Sequence, residues 1–203
     1  MAAVGGSLMP YFSAKSYARI IGSNNRIQVS VMGVNSRGNA LAQNFATQKN
    51  CDVIHICDVD SRAIVKCLTA LKDRQNIEAK AYPDFRKSLE SKDIDALVIA
   101  APDHWHAPAS LLALQAGKPV YVEKPCSHNP NEGEILVKAA ENYGKIVQMG
   151  NQRRSWPNVI EGIDVLKSGA IGRVYYGKGW YTNNRASIGI GKETAIPSWL
   201  DWE

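Results

Sequence analysis

Short apolar runs alternate with amphipathic segments along most of this chain. Several runs are apolar at consecutive positions, which is typical of strands that are covered on both faces of a sheet. The predicted strands are Arg26–Met32, Asp52–Cys57, Ala79–Tyr82, Ile94–Ala100, Pro119–Val122 and Lys145–Met149.

The segments between these strands carry helix signals. Ser61 can cap one helix, Asp84 can cap another, and Gly117 stands where a third would end. The predicted helices are Ser36–Gln48, Ser61 to about Gln75, a short helix through Leu89, His104–Ala116 and Asn131–Asn142. Strands that alternate with helices across short loops predict an α/β fold, here a Rossmann-type doubly wound parallel sheet.

The pattern changes at both ends of the chain. Residues 1–25 lack the basic start and longer apolar stretch of an intact secretory signal, so we interpret them as a leader remnant or a disordered start. A leader remnant favours export to the periplasm over a cytoplasmic location. After Gly150, a helix at Pro157–Ser168 and an aromatic antiparallel strand at Arg173–Thr182 are predicted. We therefore expect a Rossmann domain at 26–150 and the beginning of an incomplete α+β substrate domain at 151–203.

Composition excludes several classes of protein. The net charge is +5 over 203 residues, but the basic residues are scattered, and Arg153-Arg154 is too short for a nucleic-acid-binding patch. No apolar run approaches the ~20 residues of a membrane span. The four cysteines show neither a CxxC motif nor metal-ligand spacing. We expect buried thiols and no metal site.

The loop after the first strand reads Gly33-Val34-Asn35-Ser36-Arg37-Gly38. It joins a predicted strand to a predicted helix, the context in which a G-x-G-x-x-G fingerprint indicates dinucleotide binding. Gly33 permits the tight turn, Gly38 allows close helix packing, and the helix N-terminus can bind a pyrophosphate. Asn35 replaces the middle glycine, and we expect it to keep the turn because asparagine tolerates a positive φ. An ordinary strand-to-helix turn is the alternative.

An acidic residue ends the second predicted strand. Asp58 lies twenty residues after Gly38, where a carboxylate can accept hydrogen bonds from both ribose hydroxyls of a dinucleotide. Because it would repel a 2′-phosphate, Asp58 favours NAD(H) over NADP(H). Asp60 stands at the next helix start, where it is predicted to act as a cap. The alternative for Asp58 is a solvated loop acid.

Two more loops follow strand ends, where ligands bind in this architecture. They read Pro102-Asp103-His104-Trp105-His106 and Glu123-Lys124-Pro125. Lys124 can donate a hydrogen bond to a substrate oxygen and favour alkoxide character on that oxygen. Pro125, which can form a cis peptide bond with Lys124, can hold the lysine over a nicotinamide crevice. The alternatives are a structural Lys-Pro pair, a His106 satisfied by backbone groups, and a Trp105 that packs rather than stacks.

Together these motifs resemble the Gfo/Idh/MocA oxidoreductases. The elements that carry the resemblance are Asn35-Ser36-Arg37-Gly38, Asp58, Pro102–His106, Ala116–Pro125 and Gly150-Asn151-Gln152. The resemblance extends from Arg26 to the end of the chain, and Glu-Lys-Pro is its most specific motif.

The resemblance implies a cofactor site. Ser36, Arg37 and Asp58 would bind the pyrophosphate and ribose of NAD. Asp103–His106 would lie along the ribose–nicotinamide side. Glu123 and Lys124 would flank the nicotinamide, and Asn151 would close the crevice. The predicted NAD-binding set is Gly33, Asn35, Ser36, Arg37, Gly38, Asp58, Asp103, His104, Trp105, His106, Glu123, Lys124 and Asn151. Lys124 is also the predicted catalytic residue.

The resemblance also implies a function: an NAD(H)-dependent oxidoreductase that acts on a hydroxyl of a sugar or cyclic polyol and forms a homo-oligomer through the sheet of its second domain. An acid/base histidine with a nearby aspartate would belong to that domain beyond Glu203, so we expect this chain to be inactive alone. One alternative is a glycoside hydrolase that works by transient redox chemistry on bound NAD, although Lys124 favours a dehydrogenase. Another is a non-catalytic NAD-binding or partner-binding module.

Overall fold

The computed structural model describes residues 26–182, 184, 186–187 and 189–202. The expected leader remnant or disordered start at residues 1–25 lies outside this described part. None of the described helices has the length and apolar character that crossing a membrane requires.

Six parallel strands form one sheet, in the order β3-β2-β1-β4-β5-β6. Their bounds are Ile27–Met32 (β1), Cys51–Cys57 (β2), Lys80–Tyr82 (β3), Ala96–Ile99 (β4), Val120–Glu123 (β5) and Val147–Gly150 (β6). This order is that of a doubly wound dinucleotide-binding sheet, and it confirms the predicted Rossmann-type fold. The point where the order reverses lies between β1 and β4.

Helices connect the strands and cover the sheet. Their bounds are Arg37–Ala46 (α1), Ser61–Lys72 (α2), Phe85–Leu89 (α3), His106–Gln115 (α4), Pro130–Tyr143 (α5) and Pro157–Lys167 (α6). Two buried apolar clusters lie between these layers. One packs α1 and α2 against β1 and β2, and includes Val31, Leu41 and Cys67. The other packs α3, α4 and α5 against β4 and β5, and includes Ile99 and Leu114.

Helix α2 begins at Ser61 as predicted, and the cap predicted at Asp60 is confirmed, because its carboxylate accepts the Arg62 N–H at 2.9 Å. Ser61, also considered as a cap, is the first helical residue instead. The helix predicted from His104 begins at His106, after a 3₁₀ turn at Asp103–Trp105. The predicted cap at Asp84 is confirmed, since its carboxylate accepts the Arg86 N–H at 2.9 Å.

Helix α2 ends earlier than predicted, at Lys72, and Gln75, which was expected at its end, contacts the sheet instead. The Gln75 side-chain amide pairs with the backbone of Val53 in β2, since it accepts the Val53 N–H at 3.0 Å and donates to the Val53 carbonyl at 2.8 Å. Val53 is also the residue after which the register of β1 against β2 shifts.

The segment after β6 differs from the prediction. Helix α6 forms, but the strand predicted at Arg173–Thr182 is wrong, since this segment has no regular structure. A strand needs a neighbour to pair its backbone groups, and no described strand lies beside it. Its aromatic side chains are exposed: Tyr175 is 92 % and Trp180 77 % accessible. The proposed division into domains at residue 150 stays a prediction.

Candidate functional site

The predicted site residues follow strands whose carboxyl ends share one edge of the sheet. Helix α1, after β1, and helix α4, after β4, belong to clusters on opposite faces. A crevice therefore opens where these neighbouring strands end, which is the usual ligand position in such a sheet.

Gly33 is required by both its conformation and its surroundings. Its φ is +80°, and a Cβ there would lie 2.6 Å from the Ala101 backbone nitrogen. The turn after β1 thus runs against the end of β4. A larger residue would push the two strand ends apart.

Gly38 brings the start of α1 against this turn. A Cβ on Gly38 would lie 1.7 Å from the Gly33 carbonyl oxygen and 3.3 Å from the Ala100 side chain. The prediction that Gly38 allows close helix packing agrees with these distances.

The middle of the loop departs from expectation. We expected Asn35 to adopt a positive φ, but among the described residues other than glycine only Asn50 does so. Instead, the Asn35 carbonyl accepts a hydrogen bond from the Lys66 ammonium at 3.0 Å. Ser36 stands at the N-cap of α1 without a side-chain cap bond. The first N–H groups of a helix lack intrahelical partners, and here no side chain caps them.

The Asp58 carboxylate is held by two backbone donors. Its Oδ2 accepts the Val34 N–H at 2.7 Å, and its Oδ1 accepts the Asp60 N–H at 3.0 Å. A carboxylate has about four acceptor positions, so two backbone bonds leave capacity for a further ligand. The loop after β1 and the loop after β2 are thereby joined through Asp58.

An ion pair between a half-exposed arginine and a buried carboxylate joins the first loop to the Glu-Lys-Pro loop. Arg37 Nε donates to Glu123 Oε1 at 2.7 Å, and Glu123 is only 4 % accessible. Burial, and secondarily the Glu123 charge, raise the pKa of the neighbouring Tyr121 hydroxyl. Gly150 permits this arrangement, since a Cβ there would lie 2.6 Å from the Tyr121 hydroxyl oxygen.

His106 is buried between two strand-end loops. Its Nε2 lies 2.8 Å from the Ala101 carbonyl, and its Nδ1 bonds to the Pro125 carbonyl. Both ring nitrogens are therefore occupied by backbone groups, as in the alternative considered from sequence. The ring fastens the Lys124-Pro125 loop, whose peptide bond is cis, to the end of β4.

Asp103, His104 and Trp105 form the exposed 3₁₀ turn beside this buried histidine. The Trp105 ring meets Phe85 edge-on, with 6.2 Å between ring centroids, and is still 43 % accessible. Trp105 packs on one side and remains open on the other.

Lys124 is exposed at the mouth of a small cavity of about 200 Å³. The remaining lining residues are Asn151, Gln152, Arg153 and Arg154. No hydrogen bond or ion pair engages the Lys124 ammonium within the described part of the chain. Three cationic side chains therefore line this cavity, where β5 and β6 end.

The cysteines take no part in this arrangement. Burial raises the pKa of the Cys57 thiol to about 12 and those of Cys51 and Cys67 to about 11. Cys126 is partly exposed. Across residues 26–202, apart from the three undescribed positions among them, no group of three or more His, Cys, Asp or Glu side chains is arranged to hold a metal ion.

Comparison with known proteins identifies the family. The family model described as "Oxidoreductase family, NAD-binding Rossmann fold" matches residues 27–151, which is more than half of the chain. This chain belongs to the Gfo/Idh/MocA oxidoreductase family. Its Rossmann domain is accordingly an NAD-binding domain, which confirms the cofactor expected from sequence.

Three relatives illustrate the range of the Gfo/Idh/MocA family. Inositol 2-dehydrogenase of Rubrobacter xylanophilus is 30% identical over 177 residues, covering 86% of this chain and 49% of the relative. A glycosyl hydrolase family 109 protein of Saccharopolyspora erythraea is 26% identical over 182 residues, covering 87% and 39%. The crystal structure of Lactobacillus casei myo-inositol dehydrogenase with NAD(H) and myo-inositol is 26% identical, with a TM-score of 0.65, covering 72% of this chain and 43% of that one. The chain thus spans about half the length, or less, of these relatives.

Sequence reasoning missed part of this candidate site. It did not assign roles to Tyr121 and Gly150, which frame Glu123, or to Gln152, Arg153 and Arg154, which line the cavity with Lys124. A signal existed for the arginines, because a basic pair lies four residues after the predicted sixth strand. No signal marked Tyr121, because its position in a buried strand does not distinguish a packing role from a polar contact.

Proposed function

We propose that this chain carries the NAD-binding half of an NAD(H)-dependent oxidoreductase that acts on a hydroxyl of a sugar or cyclic polyol. The observation that carries the proposal is that an uncapped helix N-terminus, the Asp58 carboxylate and the unpaired Lys124 ammonium all follow strands ending at one edge of the sheet. The similarity to inositol 2-dehydrogenase supports the substrate class.

The residues of the first loop fit the phosphates of NAD. Backbone N–H groups at the start of α1, with no side-chain cap, form an anion-binding position. Ser36 keeps its hydroxyl free of a capping bond there. Arg37 has five N–H donors; Glu123 takes one and the Tyr121 hydroxyl also bonds to the guanidinium, so the remaining donors are proposed to contact the pyrophosphate. Gly33 and Gly38 keep Cβ atoms out of the turn.

Asp58 is proposed to bind the adenosine ribose. Two backbone bonds fix the carboxylate, and its remaining lone pairs can accept the two ribose hydroxyls. The same charge would repel a 2′-phosphate. We therefore propose NAD(H) as the preferred cofactor.

The nicotinamide side is proposed to lie along the loops that end β4 and β5. Asp103, His104 and Trp105 are exposed on the 3₁₀ turn, where they can border the cofactor. Asn151 lines the same cavity as Lys124 and is proposed to close the crevice. His106 and Glu123 are proposed to position the neighbouring loops rather than to contact NAD, because their polar atoms already bind Pro125, Ala101 and Arg37.

Lys124 is the proposed catalytic residue. When bound, NAD accepts a hydride in this type of reaction. The Lys124 ammonium is proposed to donate to the reacting hydroxyl oxygen and to stabilise the negative charge that develops there. The oxygen's proton goes to a general base, which we place in the substrate domain that residues 151–203 are proposed to begin. A homo-oligomer through that domain's sheet, and the cellular compartment, stay predictions.

A second candidate is an NAD-dependent glycoside hydrolase, favoured by the similarity to the family 109 protein over 87% of this chain. The two candidates differ in net redox change. A dehydrogenase produces NADH from a polyol or sugar, whereas the hydrolase releases an aglycone with no net NADH.

The test is a substrate panel assayed with the protein that contains this chain and the substrate domain. NADH absorbance is followed with inositols and aldoses, and nitrophenol release with nitrophenyl glycosides. NADH formation with a polyol or sugar supports the proposal. Glycoside cleavage without NADH supports the hydrolase, and NADH binding without either reaction indicates a non-catalytic binding module.

A further inference from the structure

The chain returns to the loop between β2 and α2 at Trp199–Asp201, a segment that we call the strap. The Ser61 backbone N–H and hydroxyl both donate to the Trp199 carbonyl, at 2.9 and 3.1 Å. The Asp201 N–H donates to the Val59 carbonyl at 2.9 Å, and Asp60 forms an antiparallel bridge with Leu200. The strap thus pairs with the loop as a short strand would.

Side chains reinforce this pairing. The Arg62 guanidinium carbon lies 3.3 Å from the centroid of the Trp199 ring, in cation–π geometry. Arg62 also forms an ion pair with Asp60, with Nη2 2.8 Å from Oδ2. Trp199 is partly buried by this contact, whereas Trp202 is 72 % accessible.

The loop that the strap contacts leads directly out of the proposed ribose site. The Asp60 N–H that donates to Asp58 belongs to the same residue that bridges Leu200. Val59, between them, gives its carbonyl to Asp201. The strap therefore fixes one of the two donors that orient the Asp58 carboxylate, and Val34 supplies the other.

We propose that the strap is a positioning segment for the adenosine half of the NAD site. By holding Val59–Arg62, it preorganises Asp58 for the ribose hydroxyls, so that less conformational freedom is lost when the cofactor binds. No sequence pattern connects Trp199 with Asp58, which lies 141 positions earlier. The inference rests on the proposed NAD site and adds to it residues from outside the Rossmann sheet.

The test uses the full chain and three variants. Trp199→Ala removes the ring face under Arg62, Trp199→Phe retains an aromatic face, and Trp202→Ala is the matched control at an exposed tryptophan nearby. NADH and ADP-ribose are titrated into each protein, and the unfolding midpoint without ligand is recorded. ADP-ribose is included because it contains the adenosine ribose and pyrophosphate but no nicotinamide.

We expect Trp199→Ala to raise the Kd of both ligands roughly threefold to tenfold, since a contact that orders the loop is lost. Trp199→Phe should restore most of the affinity, and Trp202→Ala should bind like the parent chain. The unfolding midpoint should change little, because the strap lies at the edge of the fold. Hydrogen exchange at the Asp60 and Ser61 amides should become faster in Trp199→Ala alone.

Two results would overturn the inference. One is unchanged affinity in Trp199→Ala, and the other is an equal loss in Trp199→Ala and Trp202→Ala. Failure of the parent chain to bind NADH or ADP-ribose is a different result, since it refutes the proposed cofactor site and the strap's role together.

Discussion

Replacing Gly38 by alanine tests whether the first loop has the tight geometry that cofactor binding needs. A Cβ at this position would lie 1.7 Å from the Gly33 carbonyl oxygen and 2.8 Å from its carbon. Both atoms are backbone, so no side-chain rotation can relieve the overlap, and the start of α1 must move away from the turn. Overpacking of this kind costs about 1–3 kcal/mol. We expect Gly38→Ala to lose about 2 kcal/mol of unfolding free energy.

The matched control is Gly133→Ala, in the first turn of α5. A Cβ there meets the Ser127 hydroxyl oxygen at 3.1 Å, a flexible atom that can rotate away. Alanine is favoured over glycine in helices by up to about 1 kcal/mol, so this variant should be as stable as the parent or more so.

Urea unfolding followed by tryptophan fluorescence measures both changes, and NADH titration measures the consequence for the site. Because the displaced turn carries the N–H groups proposed for the pyrophosphate, Gly38→Ala should also bind NADH at least tenfold more weakly, roughly the effect of losing one or two hydrogen bonds to a charged group. Gly133→Ala should bind NADH normally. If Gly38→Ala were as stable as the parent and bound NADH equally well, the close approach of α1 to the turn would be refuted.

Three further predictions concern the proposed catalytic lysine, the segment after β6 and the thiols. In the protein with its substrate domain, Lys124→Met should lower turnover ~10²-fold or more, because one oxygen-stabilising donor is lost, while NADH affinity should change little. The control is Lys138→Met, on the exposed side of α5. Normal turnover of Lys124→Met, or an effect equal to that of the control, would mean that Lys124 has only a structural role. Amides of residues 173–182 should exchange with solvent faster than those of β1 and β4, because they lack paired strands; slow exchange there would mean that a second copy of the chain or another surface covers them. At pH 8, a thiol reagent should modify Cys126 rapidly and the other three cysteines slowly, because burial raises the pKa of each of those thiols to about 11 or 12; rapid modification of all four in the folded chain would contradict the buried positions.

The same raised thiol pKa values give a pH dependence of stability with a definite sign. Unfolded thiols ionise near pH 8.5, whereas the folded ones remain protonated until about pH 11 or 12. The unfolded chain therefore releases protons first as the pH rises. Stability should fall progressively above about pH 8.5.

The centre of the sheet could be predicted from sequence because its strands β2, β4 and β5 are mostly buried on both faces. Runs such as Ile94–Ala100 are apolar at nearly every position, so neither face of such a strand is favourably exposed to solvent and both must be covered. Gly33 and Gly38 could be assigned because a positive φ and a close contact admit few other residues. Family membership followed from the combination of these glycines with Asp58 and Glu-Lys-Pro.

Other features depend on contacts that local patterns do not encode. Gln75 was predicted to end a helix, yet its side-chain amide pairs with the backbone of Val53 in β2. Arg37 and Glu123 are 86 positions apart and pair only once the sheet has formed. The aromatic, β-favouring residues of Arg173–Thr182 give a local preference for a strand, but a strand also needs a partner, and no described strand pairs with this segment. The strap at Trp199 has no sequence signal at all.

The most direct test of the account is the titration of NADH and NADPH into this chain and into Asp58→Ala. The control is Asp93→Ala, at an exposed acid that precedes β4 and so lies away from the carboxyl ends of the strands. We predict that the parent chain and Asp93→Ala bind NADH more tightly than NADPH. Asp58→Ala should bind NADH about 1.5–3 kcal/mol more weakly, the scale of a lost hydrogen bond to a charged group, and should discriminate less against NADPH. Equal affinity of the parent chain for both cofactors, or unchanged NADH binding in Asp58→Ala, would contradict the proposed site.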